Sequence, residues 1–156
     1  MYSQPLAYLL TFSCYGTWLH GSERGSVDKD HSKYGEEFAP VDAERERKEF
    51  LRLKHSPVVL TPAEREIATI AMRELCLRRQ WILYEINVRT NHVHIVVEAK
   101  IDPKRMLSDF KAAATKLLRE SGSFEATTKI WTRGGSRRYL WEEDAVKTAE
   151  RYVREQ

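Results

Sequence analysis

The sequence predicts an α+β chain, a split β-α-β antiparallel sheet with helices packed on it. Three observations carry that expectation. Two segments of helical periodicity each open on a cap residue followed by proline, at Thr61-Pro62 and Asp102-Pro103. Between them lie two β-rich stretches, 81–90 and 90–99, separated only by a tight turn near Thr90-Asn91, which is the pattern of a hairpin. An aromatic and aliphatic run precedes the first helix, and a basic, aromatic run follows the second. The resulting order is strand, helix, strand, strand, helix, strand, helix, which is that of a ferredoxin-like sheet followed by one more helix.

Each element has its own warrant. At 156 residues the chain fits a single domain, 1–156, large enough to bury a core. Residues 6–15, LAYLLTFSCY, read as a mostly buried strand. The polar, non-periodic stretch that follows makes residues 20–60 a loop-rich insertion, in which AERERKEFLRLKH can form a short charged helix before Pro57. In the first main helix Thr61 and Glu64 complete a capping box. Ile67, Ile70, Ala71, Met72 and Leu75 give that helix one apolar face, ending near Arg79. WILYEINVRT then has the β-branched and aromatic content of a strand. Asp102 caps the next helix, whose buried face is marked by Met106, Phe110, Ala113 and Leu117, with Gly122 at its stop. KIWTRGGSRRYLW reads as strand, turn and strand around Gly134-Gly135. The last helix opens on EEDA, with acids at the positive end of its dipole, and runs to Gln156.

Composition narrows the function. The apolar runs fall far short of a membrane span, and MYSQPLAYLL lacks the basic start and long apolar core of a signal peptide, so a cytoplasmic protein without a membrane partner is expected. Cys14 and Cys76 form no CxxC pair and read as reduced, buried thiols. A net charge of +3 does not by itself argue for nucleic acid, so the distribution of charge decides. Lys100, Lys104, Arg105, Lys111, Lys116 and Arg119 flank or lie on the second main helix. Arg133, Arg137 and Arg138 surround Gly134-Gly135 beside Trp131, Tyr139 and Trp141. Cations interleaved with aromatics suit single-stranded nucleic acid, since phosphates pair with the cations and unpaired bases stack on the rings. The alternative is a solvated helix face and core aromatics.

The stretch TNHVHIVVEA carries the chemistry. Side chains alternate on a strand, so His92, His94 and Val96 share one face, while Val93, Ile95 and Val97 share the core face. Two imidazoles side by side can converge on one metal ion, or can be hydrogen-bonded strand histidines. The late segment AERYVREQ offers candidates for a third ligand and a reacting group: Tyr152 and Gln156 are four residues apart on one helical face, on the same stripe as Ala145 and Ala149. The alternative is a packing tyrosine and a solvated helix end. His20, His31 and His55 sit in or near loops and read as surface residues.

NHVHIVV followed by a late YVREQ helix resembles the single-tyrosine HUH transposases of the insertion-sequence-200 type and their relatives, the REP-associated tyrosine transposases. TFSCYGTWLHGSERGSV, MLSDFKAAATKLL and WTRGGSRRYLWEED resemble the matching segments of these proteins, so the resemblance covers most of the chain outside roughly 28–60. It implies that His92 and His94 hold a divalent metal, Mg2+ or Mn2+, with Gln156 as third ligand and Tyr152 as nucleophile. It implies nicking and rejoining of hairpin-forming single-stranded DNA through a 5′-phosphotyrosine, in a homodimer whose active sites can be shared between chains. Asn91 is assigned a turn role. Three alternatives stay beside that reading: a non-cleaving nucleic-acid-binding module of the same fold, a domesticated nuclease acting on palindromic genomic repeats, and a metal-dependent hydrolase without a covalent step.

Overall fold

Among the residues described, 4–17 and 56–156 of a computed structural model, seven elements follow one another in the expected order. They are β1 (Ala7–Ser13), α1 (Pro62–Arg79), β2 (Ile82–Val88), β3 (His92–Glu98), α2 (Pro103–Glu120), β4 (Ser136–Leu140) and α3 (Glu143–Arg154). The expected charged helix, His20, His31, His55 and most of the 20–60 insertion lie outside the described residues.

The strands form one antiparallel sheet in the order β2-β3-β1-β4. This is the split β-α-β arrangement, with the two most apolar strands at the centre. Alternation sorts the side chains onto two faces. Tyr8, Leu10 and Phe12 of β1 join Val93, Ile95 and Val97 of β3 beneath α1 and α2. Ala7 and Leu9 join Val96 and Leu140 on the other face, which α3 covers with Val146, Ala149 and Val153. The sheet is therefore buried on both sides, and a strand with apolar residues on both faces, such as β3, needs that arrangement.

Local chemistry fixes the helix starts. The Thr61 hydroxyl accepts from the Glu64 amide at 3.2 Å, and Glu64 Oε1 accepts from the Thr61 amide at 2.8 Å. Asp102 accepts from the Lys104 amide at 2.9 Å. Gln80, in the left-handed region at φ 59°, ends α1.

Four expectations are corrected. Ile70 points to solvent at 42% exposure, because the buried stripe of α1 runs through Ala68, Ala71, Met72, Leu75 and Cys76. On α2 the fully buried residues are Met106, Leu107, Phe110, Ala114 and Leu118, so Ala113 and Leu117 flank the stripe rather than define it. The Arg-Gly segment is no strand–turn–strand. Trp131 bridges Cys14 and Ser136 pairs with Thr11, so both arms run along the same β1 edge. Three steps along β1, Thr11 to Cys14, match five along that edge, Trp131 to Ser136, and Gly134 (φ 82°) and Gly135 (φ 155°) absorb the excess as a bulge. Finally, α3 ends at Arg154 with Glu155 as its C-cap, so Gln156 has left the helix and does not stack one turn above Tyr152.

Candidate active site

The site grows from the pairing of β1, β2 and β3 on the face that α3 covers. Register places His94 opposite Thr11 on one side and Asn87 on the other, and His92 opposite Ser13. His92 and His94 stand with ring centroids 4.8 Å apart, edge to face. His94 is buried at 5% exposure, and its Nδ1 lies 2.9 Å from the Thr11 hydroxyl. The Nδ1 of His92 lies 2.6 Å from Asn91 Oδ1. The Asn91 side chain is thus more than a turn residue: it is buried and spent on a histidine.

The third ring belongs to α3. Ala149 and Val153 bury one stripe of the helix on Leu9 and Val96, and Tyr152, beside that stripe, packs edge to face with His94, centroids 5.4 Å apart. The C-terminal end of the helix is held by three residues of β2 that share one face of the strand or its extension. Glu85 accepts from Arg154 at 3.2 Å. Asn87 donates to the Val153 carbonyl at 2.9 Å and to the Gln156 carbonyl at 3.3 Å. Arg89 donates to the same Gln156 carbonyl. These contacts bring the Gln156 backbone to the residue that neighbours His94 across the sheet, while the residue itself is exposed.

Electrostatics keep the inner imidazole neutral. Burial, followed by the nearby His92 and Arg89, lowers the His94 pKa to about 3. A neutral ring keeps a lone pair, which a metal ligand requires. Among the described residues no group of three or more His, Cys, Asp or Glu side chains could hold a metal ion, so the two histidines would need partners of another kind.

The basic residues separate into different environments. Lys104 is exposed on the first turn of α2, and Arg133 and Arg137 are exposed along the β1 edge. Arg138 is half-buried on the α3 face, opposite Leu9. Lys111 is engaged inside the fold: it donates to the Thr132 carbonyl at 2.9 Å and to the Gly134 carbonyl, and lies over the Phe12 ring. Burial, with Lys129 nearby, lowers its pKa to about 8. Trp131 is a core residue whose indole donates to Thr115 at 3.0 Å, whereas Tyr139 and Trp141 are exposed. Gly135 lies against the Thr11 backbone, and Arg137, opposite Leu10, stands on the α1–α2 face, whereas the histidine pair and Arg138 stand on the α3 face.

Sequence reasoning missed Thr11, Asn87 and Arg89. No local pattern marks them, because each matters only through strand register. The two cysteines are free and buried, as expected.

A family model described as IS200-like transposase matches residues 50–156, more than half of the chain. No curated protein matches it. Among solved structures, a REP-associated tyrosine transposase bound to a REP hairpin superposes with a TM-score of 0.54 at 10% identity, covering 98% of this chain and 67% of that one. A candidate transposase from Deinococcus radiodurans R1 gives a TM-score of 0.54 at 12% identity, over 99% of this chain and 93% of that one. At such identities the likeness speaks to the fold.

Proposed function

The chain belongs to the family of IS200-like transposases, and on that premise we propose that it nicks and rejoins single-stranded DNA through Tyr152, with a divalent metal held by His92, His94 and Gln156. The observation that carries this reading is the packing of Tyr152 on His94 of the same chain, at 5.4 Å between ring centroids. On this reading a nucleophile from the last helix and a pair of nitrogen ligands from a central strand meet on one face of the sheet.

The residues fit a divalent ion on chemical grounds. Both imidazoles have Nδ1 engaged, and Nε2 is the nitrogen that would meet a metal. Two nitrogens alone favour a transition metal, whereas Mg2+ and Mn2+ favour oxygens. The Gln156 side chain, water and the substrate phosphate would complete an oxygen-rich set. When bound, the ion would neutralise phosphate charge and orient the scissile phosphate. The Tyr152 oxygen attacks phosphorus as its proton passes to water. The bond from phosphorus to the 3′ oxygen breaks, and that oxygen leaves with the electron pair and takes up a proton. The product is a 5′-phosphotyrosine and a free 3′-hydroxyl. Because the ester is conserved, the 3′-hydroxyl of a second strand can reverse the step, expelling the tyrosine without a nucleotide cofactor.

DNA meets the exposed cations Lys104, Arg133 and Arg137 with Tyr139 to stack a base, and Arg138 lies on the α3 face with the histidines. A hairpin-forming substrate is proposed because one structural neighbour holds a REP hairpin. The placement of Tyr152 beside its own His94 favours catalysis within one chain, and a homodimer exchanging tyrosine helices is the second arrangement. No helix among the described residues is long and apolar enough to cross a membrane; a cytoplasmic location is proposed with the DNA substrate.

The test mixes the protein with labelled hairpin-bearing single strands and Mg2+ or Mn2+. A covalent protein–DNA band is expected that disappears in Tyr152→Phe and with chelator. Tight binding without adduct in any metal makes the protein a binding module instead. Cleavage that survives in Tyr152→Phe rejects the covalent step. Adduct formation on genomic palindromes but not on mobile-element ends identifies a domesticated nuclease.

A further inference from the structure

We infer that Asn91 and Thr11 are positioning residues that decide which ring nitrogen His92 and His94 present for binding. The inference rests on the reading of these histidines as a ligand pair, and it concerns residues that reading leaves without a role.

The residue before His92 has no obvious reason to be buried. It follows Arg89 and Thr90, both exposed, in a tight turn between β2 and β3, yet Asn91 is 8% exposed. Removing a carboxamide from water costs free energy unless its polar atoms find partners. Its Oδ1 finds one at 2.6 Å, the Nδ1 of His92. A carboxamide oxygen only accepts, so Nδ1 must carry the ring proton. In a neutral imidazole the lone pair then resides on Nε2. Were the carboxamide turned over, its NH2 would donate to Nδ1 and the proton would move to Nε2, destroying the ligand. The orientation of one amide therefore decides whether His92 can bind a metal through its outer nitrogen.

His94 is served in the same way from the other strand. Thr11 pairs with it in register, and the Thr11 hydroxyl lies 2.9 Å from Nδ1. A hydroxyl both donates and accepts, so it can take the Nδ1 proton while its own hydrogen turns elsewhere. The two anchors come from different places, one from the turn before β3 and one from the centre of β1. Both grip the same atom type. Two rings 4.8 Å apart are thus fixed at their inner nitrogens, which holds the pair in a set relation before any ligand arrives.

The test reads the proton directly. In metal-free protein with 15N-labelled histidine at pH 8, two-bond 1H–15N spectra are expected to show both rings protonated at Nδ1. Asn91→Leu shifts His92 toward the Nε2-protonated form and lowers Mn2+ affinity, read by electron paramagnetic resonance, about tenfold or more. Asn91→Asp keeps an acceptor and retains both the Nδ1 proton and the affinity. Thr11→Val moves the pattern of His94, and Thr11→Ser restores it. An Nε2 proton on His92 in the wild-type protein overturns the inference, a measurement that needs no variant to fold. So does a pattern that Asn91→Leu leaves unchanged. If the wild-type rings carry Nδ1 protons and respond to these substitutions but no Mn2+ binds, the positioning stands and the metal-dependent function fails.

Discussion

Gly135→Ala should be far more damaging than Gly134→Ala, although the two glycines are neighbours in one bulge. A Cβ built on Gly135 would lie 2.7 Å from the Thr11 carbonyl oxygen, 3.2 Å from Phe12 Cβ and 3.3 Å from Leu107 Cδ1. The first contact is with backbone in the central strand, which has no freedom to yield, because Thr11 pairs on both sides. The φ of 155° adds a conformational penalty for any L-residue with a side chain. Backbone strain of about 1–3 kcal/mol and overpacking of about 1–3 kcal/mol are offset by only about 0.4–1 kcal/mol from the stiffer unfolded chain, leaving a net loss of about 1–5.6 kcal/mol. At Gly134 (φ 82°) a Cβ would meet nothing within 4 Å, so only the left-handed backbone cost remains. That is about 1–2 kcal/mol before the same offset. Urea unfolding of the three proteins, followed by far-ultraviolet circular dichroism, measures the difference. The site should feel it too: the Thr11 backbone would be pushed, and Thr11 holds His94. Adduct yield from the folded fraction should fall about tenfold or more in Gly135→Ala. If Gly135→Ala costs no more stability than Gly134→Ala, the close approach of the bulge to β1 is wrong.

Other perturbations separate structural residues from those proposed to face DNA. Lys111→Met should lose about 1–3 kcal/mol in urea unfolding, because the Thr132 and Gly134 carbonyls lose a charged donor; unchanged stability with weakened DNA binding would return Lys111 to the DNA surface. Lys104→Ala and Arg137→Ala should leave the unfolding midpoint in place and weaken single-strand binding, each reducing the salt dependence of log K by about 0.7, as fluorescence anisotropy across a salt series would show. Burial raises the thiol pKa of Cys14 to about 12 and that of Cys76 to about 11. The folded state therefore keeps protons that the unfolded chain releases from about pH 8.5 upward, so their stabilisation is complete below that pH and is lost as pH climbs through the folded values. Thermal midpoints should decline from pH 9 to 11, and less so in Cys14→Ala; thiol reagents at pH 8 should modify neither cysteine until the protein unfolds.

Most of the fold is legible because its signals are local. Thr61 and Glu64 announce a helix start that the backbone needs there, and the alternation of Val93, Ile95 and Val97 assigns a core face without reference to any other strand. The errors occur where the deciding partner is distant. Gly134-Gly135 has the composition of a hairpin turn, yet both flanking arms pair with β1 because the neighbouring edge position is already supplied there. Ile70 matches helical periodicity, but α1 is turned by the packing of Ala68 and Met72 so that Ile70 faces water. A pattern says which residues share a face; it does not say how widely the covering layer extends.

The candidate site shows the same division more sharply. His92, His94 and Tyr152 stand out because each is an unusual residue in its own element. The groups that assemble them do not. Glu85, Asn87 and Arg89 look like the solvated face of an edge strand, since polar residues at alternate positions are what such a face carries. Their role exists only once α3 lies across β2: a carboxylate for Arg154, an amide for the Val153 carbonyl and a guanidinium for the Gln156 carbonyl. Helix ends leave their last carbonyls unsatisfied, and here β2 supplies donors to them from the very residue, Asn87, that flanks His94. The apolar stripe of Val146, Ala149 and Val153 presses α3 onto the sheet but would tolerate some sliding along it. The polar contacts do not, because sliding α3 along the sheet would carry its acceptors out of hydrogen-bond reach of Asn87 and Arg89. Hydrophobic burial therefore keeps the helix down, and the β2 residues set its position along the sheet, so that Tyr152 arrives at His94.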